Sequence, residues 1–157
     1  MILPDVNVLV YAAREDATDH GPYAAWLEGI TNGQEAYGVS DLVLSGVMRV
    51  LTHPNVFKTP STLQEALTFI DSVRDQPQCV IVEPGRRHWS IFKELCQKTA
   101  AKGNLVLDAY FAALAIESGS EWITSDRDYA RFPGLRWRHP FKAGVGQPAA
   151  TAPEAPP

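Results

Sequence analysis

The chain has 157 residues, of which 45% are hydrophobic and 20% are charged. This composition suits one α/β domain with a hydrophobic core and excludes a generally disordered protein. The formal net charge of −4 argues against a protein that binds nucleic acid through bulk positive charge alone.

The sequence shows no segment that predicts export or membrane insertion. Its longest apolar stretch, 105–116, is interrupted by Asp108 and is shorter than the roughly 20 residues that a membrane span needs. The N-terminus lacks the basic residues that precede the apolar run of a secretory signal. Cys79 and Cys96 are not spaced like zinc ligands, and we interpret them as incidental thiols. We therefore expect a cytoplasmic protein that does not associate with membranes.

The first half of the chain alternates strand-like and helix-like segments. In chain order these are a strand at 2–3, a helix at 6–13, a helix at 23–30, a strand at 36–39 and a helix at 41–52. Ser40 stands where it can cap the helix at 41–52, and His53-Pro54 ends that helix.

The second half continues the alternation. It contains a helix that opens at 61–62, a buried strand at 80–82, a helix at 85–101, an apolar helix at 105–117, a strand at 122–124 and a candidate edge strand at 135–137. Strands separated by helices predict a parallel sheet with helices on both faces. The segment 143–157 is rich in Pro and Ala and predicts a flexible tail, which leaves 1–142 as the folded domain.

Three aspartates stand at positions where catalytic groups collect in such sheets. Asp5 and Asp126 follow predicted strands, and the carboxyl ends of parallel strands meet at one edge of the sheet. Asp108 lies near the start of the apolar helix and is the only charged residue between Leu105 and Ile116. Burying a lone carboxylate costs several kcal/mol unless it is compensated, and a cation is the simplest compensation.

Each aspartate also has a structural interpretation. Asp5 could cap the helix that follows it. Asp126 could cap the next turn, with Asp128 as a solvated neighbour, and Asp108 could pair with a buried arginine such as Arg49. The shared placement at one sheet edge favours a cation site, and carboxylates without Cys or His favour Mg²⁺ or Mn²⁺ over zinc.

Charge is unevenly distributed along the chain. Residues 1–85 hold 4 basic and 11 acidic residues, whereas residues 86–157 hold 10 basic and 7 acidic residues. Several of the basic residues lie close together near the end of the domain: Arg127, Arg131, Arg136, Arg138 and Lys142. Such a cluster is either a solvated face or a patch that attracts phosphates or an acidic partner.

Several segments together resemble the PIN-domain family. The D-x-N motif at 5–7 follows the first strand, as it does in that family. The segment at 108–115 resembles the family's D-A-x-x-A-A-x-A pattern, and 124–129 resembles its T-x-D-x-D-F pattern. The segments at 49–54 and 132–137 are typical of VapC toxins, so the resemblance covers roughly residues 1–140.

The resemblance implies a three-layer α/β/α fold with a central parallel sheet of about four or five strands. It also implies an endoribonuclease, dependent on Mg²⁺ or Mn²⁺, that acts as the toxin of a type II toxin–antitoxin pair. Its RNA substrate, a VapB-like antitoxin and a second copy of the chain would be its partners. The implied site residues are the catalytic, metal-binding acids Asp5, Asp108 and Asp126, supporting Asn7, Thr124 and Asp128, and RNA or antitoxin contacts from Arg49, Arg127 and Arg131.

One position departs from the family pattern. Gly46 stands where a glutamate usually precedes the arginine that matches Arg49, and Asp41 or a water could take its place. This gap leaves open a catalytically weak or inactive module that only binds RNA or a partner protein. A phosphotransfer protein with Asp5 as nucleophile is a third hypothesis, but such proteins carry D-x-D and this chain has Asn7.

Overall fold

The central sheet has five parallel strands. The computed structural model describes residues 1–142, so the predicted tail at 143–157 lies outside the described residues. The strands are β1 (Ile2–Pro4), β2 (Tyr37–Val39), β3 (Cys79–Ile81), β4 (Glu121–Ile123) and β5 (Trp137–Arg138). They pair in the order β3-β2-β1-β4-β5. The predicted parallel sheet is confirmed, and the candidate strand at 135–137 is its edge strand β5.

Six helices connect these strands. They are α1 (Val6–Ala13), α2 (His20–Thr31), α3 (Asp41–Leu51), α4 (Leu63–Arg74), α5 (His88–Thr99) and α6 (Asn104–Ser118). A short 3-10 helix, Arg127–Arg131, joins β4 to β5. The chain moves outward from β1 to β3 through α1–α4 and then crosses back to β4 through α5 and α6. Since parallel crossovers are right-handed, the two helix groups cover opposite faces and form the predicted three layers.

The centre of the carboxyl edge lies between β1 and β4. These neighbouring strands pair Pro4 with Ile123, and the Asp5 N–H continues the ladder by donating to the Ile123 carbonyl at 2.8 Å. The strand register therefore places Asp5 beside Thr124 across the sheet. Although Asp5 and Thr124 lie far apart in the sequence, the pairing of β1 with β4 brings them together without a long loop between them.

The core extends from the sheet into α6. Trp122 on β4 is fully buried, with ring centroids 5.5 Å from Phe111 and 5.4 Å from Tyr129. Phe111 lies on α6, three residues after Asp108 and therefore close to the same helix face. Aromatic packing against β4 thus fixes the helix that carries Asp108.

Two local predictions were wrong. The strand at 80–82 was expected to be buried, but Val80 is 42% exposed because β3 is an edge strand with one neighbour. Ser40 occupies the N-cap of α3 as predicted, yet its side chain makes no capping hydrogen bond. By contrast, Thr62 opens α4 with a capping box in which the Glu65 side chain accepts from the Thr62 N–H at 2.7 Å.

The helices are short relative to a bilayer. Within residues 1–142, none is both long enough and apolar enough to span a membrane.

Candidate active site

Asp5 is both a helix cap and a buried acid. Its Oδ1 accepts a hydrogen bond from the Val6 N–H at 2.7 Å, which caps α1 as the structural interpretation expected. The carboxylate is only 6% exposed, and its Oδ2 accepts from the Thr124 hydroxyl at 2.7 Å. The capping role therefore does not exclude a chemical one, since each oxygen keeps a second lone pair.

Thr124 joins three of the predicted site residues. It is fully buried, and while its hydroxyl donates to Asp5, its Oγ1 accepts from the Asp126 N–H at 3.0 Å. The same oxygen accepts from Asn7 Nδ2 at 3.3 Å. One hydroxyl thus fixes Asp5, Asn7 and the backbone of Asp126 relative to each other, at the carboxyl ends of β1 and β4.

Asp108 reaches this edge from α6 and is held by Tyr129. The Tyr129 hydroxyl donates to Asp108 Oδ1 at 3.3 Å, and Asp108 itself is half-buried. The predicted alternative partner, Arg49, is exposed on α3, so Asp108 is not neutralised by a buried arginine. Tyr129 had no predicted role, and the signal for it was an aromatic residue three positions after Asp126 in an otherwise polar segment.

The electrostatics of the site favour a positive ligand. Burial, with a smaller contribution from the charges of Asp108 and Asp126, raises the pKa of Asp5 to about 6 against the lowering effect of its hydrogen bonds. Burial, with Asp126 and Asp128 nearby, also raises the pKa of Asp108. The pKa of Tyr129 is raised by burial and by all three carboxylates. The three acids therefore act on each other, and none of them forms an ion pair with a cationic side chain within residues 1–142.

The donor atoms fit a hard divalent cation. Asn7 Oδ1 is buried and has no hydrogen-bond partner within residues 1–142, although buried amide oxygens are almost always paired. Carboxylate and amide oxygens without nitrogen or sulfur suit Mg²⁺ or Mn²⁺. In the described part of the chain no three His, Cys, Asp or Glu side chains are grouped closely enough to hold a metal ion by themselves. Mg²⁺ does not require one, because it usually keeps several of its waters.

The remaining acidic candidates point elsewhere. Asp41 is exposed and forms a bidentate ion pair with Arg74 on α4, with nitrogen–oxygen distances of 3.0 and 3.3 Å. This pairing leaves Asp41 as a surface residue that links α3 to α4. Asp128 is exposed and lies 3.7 Å from Arg131, while its N–H donates to Asp126 Oδ1 at 2.8 Å. Its backbone, more than its carboxylate, orients the site.

The missing glutamate has a steric explanation. A Cβ atom at Gly46 would lie 2.9 Å from Val6 Cγ2, closer than real Cβ contacts come. Val6 directly follows Asp5 and is β-branched, so its side chain has few alternative rotamers. The close approach of α3 to α1 therefore requires glycine here, and a glutamate at this position would displace the helix that Asp5 caps.

We expect Gly46→Ala to destabilise the protein by about 1–3 kcal/mol, because overpacking at Val6 outweighs the helix propensity of alanine. Gly29→Ala is the matched control, since Gly29 lies on α2 with no atom within 4 Å of an added Cβ. The unfolding free energy of Gly29→Ala should rise by about 0.5–1 kcal/mol. Urea unfolding of both variants measures these changes in unfolding free energy. Equal stabilisation by the two substitutions would show that the Val6 side chain moves aside at no cost.

Comparison with known proteins agrees with this geometry. Residues 2–135 match the family model described as the PIN domain. The chain is 43% identical over 141 residues to Ribonuclease VapC43 of Mycobacterium tuberculosis, covering 90% of this chain and 96% of that protein. It is 34% identical to Ribonuclease VapC25 of the same organism, covering 89% of this chain and 99% of that protein.

Solved structures share the fold at lower identity. VapBC2 from Rickettsia felis, bound to a DNA fragment from its promoter, has a TM-score of 0.65 and 17% identity, covering 88% of this chain and 98% of that chain. The sarcin-ricin-loop-cleaving toxin VapC20 of Mycobacterium tuberculosis has a TM-score of 0.61 and 13% identity, covering 87% of this chain and 99% of that chain. The chain belongs to the PIN-domain family, among the VapC ribonucleases.

Proposed function

We propose that this chain is a divalent-metal-dependent endoribonuclease and the toxin of a VapBC-type pair. The observation that carries the proposal is the Thr124 hydroxyl, which ties buried Asp5 to Asp126 beside the unpaired Oδ1 of Asn7. Asp5, Asp108 and Asp126 would hold the Mg²⁺ or Mn²⁺ ion. The bound ion supplies two effects: it lowers the pKa of a water and neutralises charge that develops on the phosphate.

The chain's own residues position these groups. Thr124 holds Asp5 in one rotamer and anchors the Asp126 backbone, while Tyr129 holds Asp108. Asn7 donates through its Nδ2 to Thr124, which leaves its buried amide oxygen available to a ligand. Such outer hydrogen bonds orient metal-binding carboxylates and tune their basicity.

RNA has to approach an acidic site, and exposed arginines supply the opposite charge. Arg49, Arg127 and Arg131 are exposed, and we infer that they contact RNA phosphates or acidic groups of a VapB-like antitoxin. Exposed apolar side chains, among them Trp89 and Leu107, offer additional surface for the antitoxin or for a homodimer.

A cleavage assay tests the proposal. The purified protein is expected to cut single-stranded RNA with Mg²⁺ or Mn²⁺ and to stop in EDTA, and co-expression of a short antitoxin-like open reading frame from the same operon should suppress the activity. RNA binding without cleavage under every metal condition would instead support the inactive RNA-binding module, which the glycine at position 46 favours.

Thr124→Val should weaken both stability and catalysis. The variant keeps the shape of the side chain but leaves Asp5 Oδ2 and the Asp126 N–H unpaired, which we expect to cost about 1–3 kcal/mol. In the parent, the hydrogen bond from the Thr124 hydroxyl lowers the pKa of Asp5, so its loss in the variant should raise that pKa. The acidic limb of the pH–rate profile should therefore move to higher pH, with activity reduced about 10- to 100-fold.

Thr124→Ser keeps the hydroxyl and is the control for this experiment. It should retain the parent's pH–rate profile. An unshifted acidic limb in Thr124→Val, measured on folded protein, would contradict the assigned role of Thr124.

A further inference from the structure

A second polar site adjoins the acids at the carboxyl ends of β4 and β5. It is a cavity of about 310 Å³ lined by Ser125, Arg127, Trp137, Arg138, His139 and Lys142. Ser125 and Arg127 directly flank Asp126 in the chain, so the cavity lies beside the segment that carries one of the three acids. Its volume lies near the lower end of the range for small-ligand pockets.

Two of the cations that line the cavity are available to a ligand. The Arg138 guanidinium is held by Glu121 at 2.9 Å and donates to the Lys142 carbonyl at 2.7 Å. By contrast, the Arg127 and Lys142 side chains have no hydrogen-bond or ion-pair partner within residues 1–142. A cavity wall with two uncommitted positive charges attracts an anion.

His139 is the neutral part of the wall. Its Nδ1 accepts from the Phe141 N–H at 3.3 Å, and its Nε2 lies 3.3 Å from the Tyr23 hydroxyl. Burial, together with the charges of Lys142 and Arg127, lowers its pKa. His139 therefore positions the segment that carries Lys142 and leaves anion binding to the two free cations.

An aromatic ring completes the cavity. Trp137 lines it and is half-buried on the edge strand β5. Aromatic rings beside cations are the combination that binds single-stranded nucleic acid, because bases stack on the ring while the cations contact phosphate. An acidic peptide would need the cations but not the ring, so the lining favours RNA over the antitoxin.

We propose that this cavity binds one nucleotide of the RNA next to the phosphodiester at the acids, with Arg127 and Lys142 on its phosphate and Trp137 against its base. The inference rests on the proposed ribonuclease function and adds a binding subsite to it. It makes Trp137 and Lys142 affinity determinants that lie outside the catalytic acids.

Binding without cleavage tests the subsite. The probe is a fluorescein-labelled single-stranded RNA of about eight nucleotides. Its anisotropy is measured with the full chain in EDTA, between about 50 and 200 mM salt. Arg127→Gln and Lys142→Gln should each raise Kd roughly tenfold and lower the slope of log Kd against log salt by about 0.7.

The aromatic contact has a different signature. Trp137→Leu should raise Kd roughly tenfold without changing the salt slope, because stacking releases no counterions. Trp137→Phe keeps a ring in the strand and should restore most of the affinity. Arg86→Gln is the charge control: Arg86 is exposed and lies between Gly85 and Arg87, whose N–H groups donate to Glu117 near the end of α6 opposite Asp108, so its Kd and slope should match the parent.

Parent-like Kd and slope in both Arg127→Gln and Lys142→Gln would overturn the subsite. So would normal RNA binding combined with lost binding to the antitoxin, which would assign the cavity to the protein partner. Cleavage by the parent with Mg²⁺ is scored separately. A parent that cleaves while the variants bind normally refutes the subsite alone, whereas weakened variants with a parent that never cleaves refute only the nuclease.

Discussion

Asp108→Asn is expected to lower metal-dependent RNA cleavage by about 10³-fold or more, while the metal-free protein becomes harder to unfold. The activity falls because a neutral amide cannot supply the charge that holds the cation. The stability rises because asparagine removes a half-buried charge that Asp126 and Asp128 repel, yet keeps an oxygen for the Tyr129 hydroxyl.

The raised pKa of Asp108 predicts how the stability gain of Asp108→Asn depends on pH. Because the native-state pKa of Asp108 is raised, its charge penalizes folding once the pH exceeds that pKa. The gain in melting temperature of Asp108→Asn in EDTA should therefore be present at neutral pH and shrink as the pH falls toward the ordinary aspartate pKa. Mg²⁺ should raise the melting temperature of the parent and have a much smaller effect on the variant.

Asp71→Asn is the matched control, since Asp71 is exposed on α4 and its side chain makes no hydrogen bond or ion pair within residues 1–142. It should leave cleavage and the response to Mg²⁺ unchanged. A marked loss of stability in metal-free Asp108→Asn would instead show that the carboxylate has a structural partner, and the repulsion argument would be wrong.

The parts of the fold that follow from local pattern were predictable. Apolar strands ending at Asp5 and Asp126, separated by amphipathic helices, predict a parallel sheet and place both acids at its carboxyl edge. The position of Asp108 as the only charge in the apolar stretch 105–116 predicts that its carboxylate needs a compensating partner such as a cation. These inferences need only periodicity and the chirality of crossovers.

The parts that depend on packing were not predictable. Strand order determines which strands lie at the edges of the sheet. The apolar sequence alone predicts that Val80 in β3 is buried, whereas its position in an edge strand leaves it exposed. The hydrogen bond from Tyr129 to Asp108 depends on how the 3-10 helix folds back on α6. The exclusion of a side chain at Gly46 depends on how closely Val6 approaches it, where differences of tenths of an ångström decide, and composition does not encode this spacing.

Asp5 is expected to make the metal-free protein markedly less stable as the pH rises, which is the opposite of the usual effect of a carboxylate. The native state raises the pKa of this carboxyl from 3.8 to about 6, so it binds the proton more tightly than the unfolded chain does. The resulting stabilisation is fully present below the unfolded pKa and is lost as the pH rises through about 6. A shift of that size corresponds to about 3 kcal/mol.

Asp5→Asn isolates this contribution, because asparagine keeps an acceptor for the Val6 N–H and does not titrate. We expect the parent's unfolding free energy, relative to that of Asp5→Asn, to fall by about 2.4 kcal/mol between about pH 4 and about pH 7 in EDTA. Titrating groups outside the site cancel in this difference, whereas Asp108 and Asp126 interact with the Asp5 charge and change with it. Saturating Mg²⁺ should remove the fall, since the ion binds the ionised carboxylate and stabilises the native state. Urea unfolding across the pH series provides the measurement. A difference that stays flat in EDTA would show that Asp5 already has its compensating charge within the chain, which would remove the electrostatic reason for a cation at this edge of the sheet.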